Sequence, residues 1–191
     1  SANAAPNSPL EVLFYGSFIA LQGPGVVVEA ARVYRGPPVR WVLLGAGPLL
    51  EECRKSAHGL ANLVFEDWLA YPQLPARIRR ADILLGGFGP TPKAQRGIPN
   101  KVFQALACGK PLVTCAAPAY PAALCKQAES GIRWVPAGDA AALARAVSAL
   151  ATEPARLATL GALARKTYAQ YFSADTIRDE LRAALESLGT M

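Results

Sequence analysis

The feature that most constrains the fold is an alternation of short, continuously apolar runs with amphipathic segments along the chain. Several of these runs, such as VRWVLLGAG, lack the polar and apolar alternation of a half-exposed strand, which is typical of strands covered on both faces. A helix between successive strands requires parallel pairing through crossover connections. The sequence therefore predicts an α/β fold: a Rossmann-like, doubly wound parallel sheet of about six strands, with extra C-terminal helices.

The same alternation predicts where each element lies. Asp139 and Ser173 stand where helix N-caps belong. Residues 1–9 are interpreted as a linker or an added tail, and residues 10–191 as one domain. The predicted strands cover 11–16, 39–47, 62–69, 83–87, 111–117 and 132–136, and the predicted helices cover 25–36, 48–59, 72–82, 100–109, 121–130, 139–154, 155–172 and 173–189.

Composition indicates a globular protein with a preference for anionic ligands. The 191 residues are 52% hydrophobic and 18% charged, which excludes a disordered chain. The net charge is +6, and 14 of the 20 basic residues are arginines, which can hold a phosphate through two parallel hydrogen bonds. The basic residues are dispersed along the chain, so we predict a phosphorylated small molecule and no nucleic acid as the partner.

Cysteine and histidine usage argues against a metal centre. Cys53, Cys108, Cys115 and Cys125 form no C-x-x-C pair, and His58 is the single histidine. Zinc sites need a cluster of such ligands, so no metal is expected. Free cysteines without a disulfide framework are typical of a reducing compartment. No apolar run is long enough to span a membrane, and the predicted localisation is cytoplasmic.

The stretch IPNKVFQALACGKPLVT, residues 98–114, contains the main candidate site. The first amide groups of the predicted helix have no partner within it and carry a partial positive charge. Lys101 lies in that first turn, and Lys93 and Arg96 lie on the preceding loop. We expect these groups to surround an anion such as a phosphate. The alternative is that Asn100 serves only as an N-cap and that Lys101 is solvated.

A second candidate lies in GSFIALQGPG, residues 16–25, directly after the first predicted strand. Glycines there allow a close approach of the backbone to a ligand, and the helix near Pro24 offers another N-terminus. A plain strand-to-helix turn would also need a glycine or two. In a doubly wound sheet the ligand lies beyond the carboxyl ends of the strands, which brings both candidate segments to one edge.

Several familiar sites are absent from the sequence. GAGPLL and GFGPTP each match only part of the dinucleotide-binding fingerprint. No G-x-x-x-x-G-K-[ST] or G-x-S-x-G motif occurs, which excludes a P-loop nucleotidase and argues against a serine hydrolase. A hydrolase triad would have to use His58, which is better explained as a surface or C-capping residue beside Gly59.

The segment PNKVFQALACGKPLVT resembles the donor-site segment of group 1 (family 4) glycosyltransferases of the GT-B architecture. The blocks VLFYGSFIALQGPGVVVEAARV, WVLLGAGPLLEECR and NLVFEDWLAYPQLPARIRRADILLGG agree with that family in order and spacing. GIRWVPAGDAAALARAVSALATEP matches the family's closing strand and helix. The resemblance covers roughly residues 10–172 and implies the C-terminal, donor-binding half of such an enzyme.

The resemblance implies a retaining transfer of a sugar from a nucleotide-diphospho-sugar, with no other cofactor and no divalent metal. It implies an acceptor-binding N-terminal domain, in the same chain or a partner chain, through which the enzyme associates peripherally with a membrane. The implied setting is envelope or exopolysaccharide synthesis. It identifies no catalytic residue. The implied binding residues are Gly16, Ser17, Gln22, Gly23, Lys93, Arg96, Asn100 and Lys101 for the diphosphate, Gln104 for the ribose, and Asp67, Trp68 and Leu69 for the base.

The chain departs from the family pattern at four of these positions. Ser17 and Gln22 stand where the family often has an arginine and a lysine, and Arg96 and Gln104 stand where it has a pair of glutamates. These changes indicate that positive charge has moved across the phosphate site. Two alternatives stay open: a non-catalytic nucleotide-sugar-binding or scaffold module, and half of a GT-B sugar epimerase, which would need acid/base carboxylates in the cleft.

Overall fold

The computed structural model describes residues 8–189 and contains a six-stranded sheet in the order β3-β2-β1-β4-β5-β6. Every neighbouring pair is parallel, which confirms the predicted α/β, Rossmann-like fold. Most of the predicted tail and the last two residues lie outside the described residues. The strands are β1 (Leu10–Ser17), β2 (Val39–Ala46), β3 (Leu63–Glu66), β4 (Ile83–Leu85), β5 (Leu112–Cys115) and β6 (Ile132–Val135).

Helices connect the strands and extend the C-terminal end. Short 3-10 helices cover Tyr71–Gln73, Pro92–Gln95 and Pro154–Arg156. The α-helices are α1 (Pro24–Val33), α2 (Leu50–Ser56), α3 (Leu74–Arg80), α4 (Asn100–Ala107), α5 (Ala122–Lys126), α6 (Ala140–Thr152), α7 (Leu157–Tyr171) and α8 (Ala174–Gly189).

The sheet is buried on both faces. Along β1, Val12 and Phe14 pack into one hydrophobic core, while Leu13 and Tyr15 pack into the other. All four side chains are at most 4% exposed. Because successive residues of a strand point to opposite faces, a strand with two cores must be apolar throughout. This is the physical origin of the continuous apolar runs in the sequence.

Each face is covered by its own set of helices. The core on one face includes residues of α1, α2 and α6, and α1 packs against α6. The core on the other face includes residues of α3, α4 and α7, and α4 packs against α7. The site described below lies at one edge of this second layer.

Two local predictions are confirmed at helix starts. Asp139 Oδ1 accepts a hydrogen bond from the amide of Ala142 at 2.8 Å, and Ser173 Oγ accepts one from the amide of Thr176 at 3.1 Å. The predicted strand 62–69 is too long, since β3 ends at Glu66. As the edge strand, β3 has β2 alone to pair with, and that pairing ends at Glu66, opposite Leu44.

The strand order creates a switch point between β1 and β4, at the centre of the sheet. The strands β2 and β3 follow β1 on one side of the sheet, whereas β4 pairs with the other side of β1 and is followed there by β5 and β6. The connections after these two strands therefore diverge and leave a crevice beyond their carboxyl ends. Within the described residues, none of the helices has both the length and the apolar character needed to cross a membrane.

A buried arginine ties α3 to the sheet. Arg77 is 6% exposed and donates to Glu66 through Nε at 2.7 Å and through a terminal nitrogen at 3.1 Å. It also donates to Glu11 of β1 at 2.6 Å. Nothing in the sequence distinguishes Arg77 from Arg79 and Arg80, which are exposed on the same helix.

We expect Arg77→Ala to lower the free energy of unfolding by about 3 kcal/mol, because the substitution leaves two partly buried carboxylates without their shared cation. Urea denaturation followed by circular dichroism measures the change. Arg79→Ala is the matched control on the exposed side of the helix and should stay within about 0.5 kcal/mol of the native chain. Similar losses for the two variants would contradict a structural role for the Arg77 ion pairs.

Candidate functional site

A cavity of about 270 Å³ lies at the carboxyl end of β1, beside the first turn of α4. We refer to it as the β1 cavity. Its walls come from the ends of β1 and β2, the loop after β3, the start of α3 and the start of α4. The lining residues are Tyr15, Gly16, Ser17, Gln22, Leu44, Trp68, Leu69, Tyr71, Leu74, Pro99, Asn100, Lys101 and Gln104.

The β1 cavity gathers eight of the twelve site residues predicted from the sequence. Parallel strands that share one direction deliver their following loops to the same edge, which is why segments far apart in sequence meet there. The eight residues are Gly16, Ser17, Gln22, Trp68, Leu69, Asn100, Lys101 and Gln104.

A second cavity, of about 190 Å³, lies at the carboxyl ends of β4 and β5, and Lys93 lines it. We refer to it as the β5 cavity. Gln22 and Pro99 line both cavities. Lys93 belongs to the 3-10 helix Pro92–Gln95, whose first turn is capped by Thr91 Oγ1 accepting from the amide of Ala94 at 3.3 Å. Lys93 does not line the cavity that Lys101 lines.

The other three predicted residues line neither cavity. Arg96 is exposed on the loop, and the Asp67 side chain is fully exposed, 4.0 Å from Arg54. Gly23 adopts a φ of 66° at the start of α1, where a Cβ would lie 2.7 Å from the backbone of Gly89. Lys93 and Lys101 thus line different cavities and Arg96 lines neither, and a joint role of the three cations at one phosphate stays a prediction.

The first turn of α4 opens directly onto the β1 cavity. The helix begins at Asn100 after an extended Pro99, and no side chain caps its first amides. Asn100 is thus the first helical residue and not the N-cap. The amides of Asn100 and Lys101 have no carbonyl within the helix to bind, and together with the helix dipole they favour a negatively charged ligand.

Lys101 is buried, which contradicts the alternative that it is a solvated cation. The residue is 5% exposed, and its Nζ has no hydrogen-bond partner among residues 8–189. The Nζ atom lies 3.8 Å from the centroid of the Phe14 ring and 5.9 Å from that of Tyr15. Burial away from water disfavours the charged form and lowers the pKa of Lys101 to about 7.

Gly16 lies directly beside this amine. Its φ is 129°, in the region that favours glycine, and a Cβ at this position would lie 3.5 Å from the Lys101 Nζ. Both residues line the β1 cavity. A side chain at position 16 would therefore contact the amine.

Tyr15 forms a hydrogen bond with the side-chain amide of Gln104, which the sequence did not predict. Its hydroxyl donates to Gln104 Oε1 at 3.0 Å and to the carbonyl of Lys101 at 3.2 Å. Burial raises the pKa of Tyr15 above its ordinary value, so the hydroxyl remains a donor. The predicted ribose acceptor at Gln104 is thus already in use, which leaves one lone pair and the amide NH₂ group for a ligand.

Gln22 offers an unpartnered polar atom between the two cavities. Its Oε1 is buried without a hydrogen-bond partner in the described part of the chain. A Cβ added at Gly87, on the wall of the β5 cavity, would lie 3.7 Å from that oxygen. A buried acceptor without a partner is unfavourable unless a ligand or a water molecule satisfies it.

Aromatic and apolar side chains also line the β1 cavity. Trp68 is 62% exposed and Tyr71 is 71% exposed, whereas most large apolar residues of this chain are buried. Leu69 and Leu74 belong to the same lining. Exposed aromatic rings beside an apolar wall can stack on a planar ligand group. Tyr71 was not predicted as a site residue, because no sequence motif marks its position.

Within residues 8–189, no group of three or more His, Cys, Asp or Glu side chains could hold a metal ion.

Comparison with known proteins shows the family of this chain. The sequence model of the family described as Glycosyl transferases group 1 matches residues 9–153. No curated protein matches the chain at a significant level of similarity. The structural matches are distant in sequence and therefore bear on the fold.

HepE from Anabaena, whose structures include complexes with UDP and with UDP-glucose, matches with a TM-score of 0.73 and 20% identity over 94% of this chain and 49% of HepE. Sucrose-phosphate synthase from Thermosynechococcus elongatus matches with a TM-score of 0.69 and 23% identity over 97% of this chain and 47% of the synthase. The chain spans about half the length of each of these two proteins. The catalytic domain of cholesterol-alpha-glucosyltransferase from Helicobacter pylori matches with a TM-score of 0.67 and 13% identity over 84% of this chain and 97% of that domain.

We expect Lys101→Met to stabilise the chain at pH 6, with a gain that shrinks as the pH rises. The folded-state pKa of about 7 lies below the ordinary value of 10.5, so the unfolded chain binds the proton more tightly. The stability of the native chain should therefore increase from pH 7 toward pH 10, by at most about 1.4 kcal/mol per pH unit.

Urea denaturation of the two proteins between pH 6 and pH 9 measures this difference. Lys126→Met removes an exposed lysine on α5 and serves as the control, whose free energy of unfolding should stay within about 0.5 kcal/mol of that of the native chain. A pH-independent difference for Lys101→Met would show that the buried amine does not lose its charge in this range.

Proposed function

The chain belongs to the group 1 glycosyl transferases, and on that premise we propose that it is the donor-binding half of a retaining glycosyltransferase. It binds a nucleotide-diphospho-sugar, whose sugar is transferred to an acceptor in envelope or exopolysaccharide synthesis. The observation that carries this proposal is the β1 cavity. It is lined by an uncapped helix N-terminus, a buried lysine amine without a hydrogen-bond partner among residues 8–189, and exposed aromatic side chains.

In this proposal the nucleotide lies along the β1 cavity. The diphosphate binds at Gly16, Ser17 and the first amides of α4, where unpaired N–H groups favour an anion. The base lies against Trp68 and Leu69. The ribose, which connects the base to the diphosphate, contacts the side-chain amide of Gln104. The oxygen of that amide also accepts a hydrogen bond from Tyr15.

The same groups would assist the reaction. When the bond between the sugar and the diphosphate breaks, negative charge develops on the departing nucleotide. Donors that already point at that oxygen stabilise the charge without having to reorganise. The amides of α4 and the Lys101 amine supply positive potential inside a partly enclosed cavity, and we propose that no divalent metal is needed for this purpose.

A second half would complete the enzyme. The chain spans about half the length of HepE and of sucrose-phosphate synthase. We propose that an acceptor-binding domain, in the same chain or a partner chain, closes over the β1 cavity and brings a cytoplasmic enzyme to the membrane surface. No residue of this chain is assigned as catalytic, and the isolated chain is expected to bind the donor without transferring its sugar.

A second function is favoured by the neutral residues at the site. Ser17, Gln22 and Gln104 stand where the family pattern has charged side chains. A chain with these substitutions could bind a nucleotide-sugar as a non-catalytic module of a larger assembly. Transfer of labelled sugar by the reconstituted two-domain protein distinguishes the enzyme from the module.

We expect UDP to bind the chain and uridine to bind far more weakly, because the diphosphate makes the main polar contacts in this proposal. A ligand at a hundredfold excess over its Kd adds about 2.7 kcal/mol of stability, which corresponds to a rise in Tm of roughly 5 to 10 °C. GDP and ADP are compared in the same assay to identify the base.

Fluorescence provides an independent readout of where the nucleotide binds. Trp68 lines the β1 cavity, whereas Trp41 is fully buried. Stacking of a base on Trp68 should quench its emission, and Trp68→Leu should abolish the quenching. The proposal would be contradicted if none of the three nucleotides changed Tm or fluorescence at millimolar concentration.

We expect Gln104→Glu to tighten UDP binding about fivefold, since a charge-assisted hydrogen bond to the ribose exceeds a neutral one by about 1 kcal/mol. A uridine diphosphate that lacks both ribose hydroxyls should gain nothing. Isothermal titration measures both affinities. Gln170→Glu makes the same chemical change on the exposed surface of α7 and should leave them unchanged. Equal gains for the two ligands would show that position 104 does not contact the ribose.

A further inference from the structure

We propose that Lys101 is a proton-linked anchor for the diphosphate. The ligand draws a proton onto the Lys101 amine as it binds, so that affinity declines as the pH rises above neutrality. This inference rests on the proposed function and adds to it a dependence of the same site on pH. It follows from the position of one buried amine, from the space around it and from the charges near it.

The first observation is that the amine lacks a partner. A lysine ammonium group has three N–H donors, and burying it without hydrogen bonds is unfavourable. The Lys101 Nζ has no partner among the described residues, although the residue is 5% exposed and lines the β1 cavity. An acceptor supplied by a ligand in that cavity would satisfy it.

The second observation is what surrounds the amine. The Phe14 ring lies 3.8 Å from Nζ, where it can hold an ammonium group through a cation–π contact. Gly16, which lines the β1 cavity together with Lys101, carries no side chain, and a Cβ there would lie 3.5 Å from the same nitrogen. A phosphate that binds beside Gly16 would therefore lie close to Nζ.

The third observation concerns the titratable groups on the elements that surround Lys101. Tyr15 of β1 donates its hydroxyl to Gln104 and to the Lys101 carbonyl. Tyr71 precedes α3 and lines the same cavity, and Cys108 follows α4. The loop 17–22 contributes no titratable side chain. None of these groups is a carboxylate.

The acidic residues nearest along the chain to the cavity wall are engaged elsewhere. Glu66 of β3 pairs with the buried Arg77 at 2.7 Å, and Asp67 lies fully exposed, 4.0 Å from Arg54. No ion pair to Lys101 occurs within residues 8–189, and burial alone lowers its pKa to about 7. Negative charge at this amine must therefore come from the ligand.

The consequence is a defined exchange of protons. Well below pH 7 the amine already carries its proton, and the diphosphate binds without proton uptake. Well above pH 7 the free amine is largely neutral, and binding takes up to one proton from the solvent to form the ammonium–phosphate contact. The affinity then falls by up to tenfold per pH unit until the pKa of the bound state is reached. The site thus favours donor binding at neutral and slightly acidic pH.

Isothermal titration of the 191-residue chain with UDP tests this directly. The experiment is run at pH 7.5 and 8.5 in two buffers of different ionisation enthalpy, where the terminal phosphate of UDP, with a second pKa of about 6, is almost fully ionised. We expect uptake that approaches about one proton per UDP at pH 8.5, and an affinity that is lower than at pH 7.5. Uridine should bind without uptake.

Two matched variants assign the proton. Lys101→Met should abolish the uptake, weaken UDP binding at pH 7 by about tenfold or more, and remove the dependence of affinity on pH. Lys110 is a half-buried lysine beyond the opposite end of α4, where burial also lowers the pKa. Lys110→Met should keep both the uptake and the pH dependence of the native chain.

Each result distinguishes the inference from the function on which it rests. Binding of UDP by the native chain without proton uptake at pH 8.5 overturns the inference and leaves the donor-binding proposal standing. Uptake that persists in a folded Lys101→Met variant assigns the proton to another group and also overturns the inference. A chain that binds no UDP at millimolar concentration overturns both.

Discussion

A parallel sheet that is buried on both faces can present chemistry only at its ends, and this constraint organises the whole molecule. The alternate residues of β1 enter two separate cores, so neither face of the strand is available to a ligand. Polar groups are left to the loops at the carboxyl ends of the strands. The switch point between β1 and β4 holds two of these loops apart, and the β1 cavity lies there.

The position of Lys101 is the clearest product of this constraint. Its side chain extends from the first turn of α4, and the Nζ atom lies 3.8 Å from the centroid of the buried Phe14 ring. Burial there disfavours the charged form of the amine, which lowers the free energy of unfolding at neutral and acidic pH. It also leaves a donor without a partner among residues 8–189. Gly16 is part of the same arrangement, since a Cβ at its position would lie 3.5 Å from the amine.

Three of the four departures from the family pattern line the same cavity as this amine, namely Ser17, Gln22 and Gln104. Ser17 at the end of β1 and Gln22 on the following loop place neutral groups in the same cavity that Lys101 lines from the start of α4. Gln104 accepts a hydrogen bond from Tyr15, a role that a neutral amide can fill next to a buried hydroxyl. Of the cations that the sequence placed near this site, Lys101 lines the β1 cavity, Lys93 lines the β5 cavity and Arg96 lines neither.

The sequence by itself determined the fold, the start of α4 and most of the cavity wall. Apolar periodicity, glycines and caps are local signals, and the direction of parallel strands then requires the following loops to meet. Only the tertiary structure decided that Arg77 and Lys101 are buried, that Lys93 faces another cavity and that Tyr15 binds Gln104. Burial and pairing depend on which side chains meet across different elements, and charged residues in a local sequence look alike whether they end in solvent or against a core.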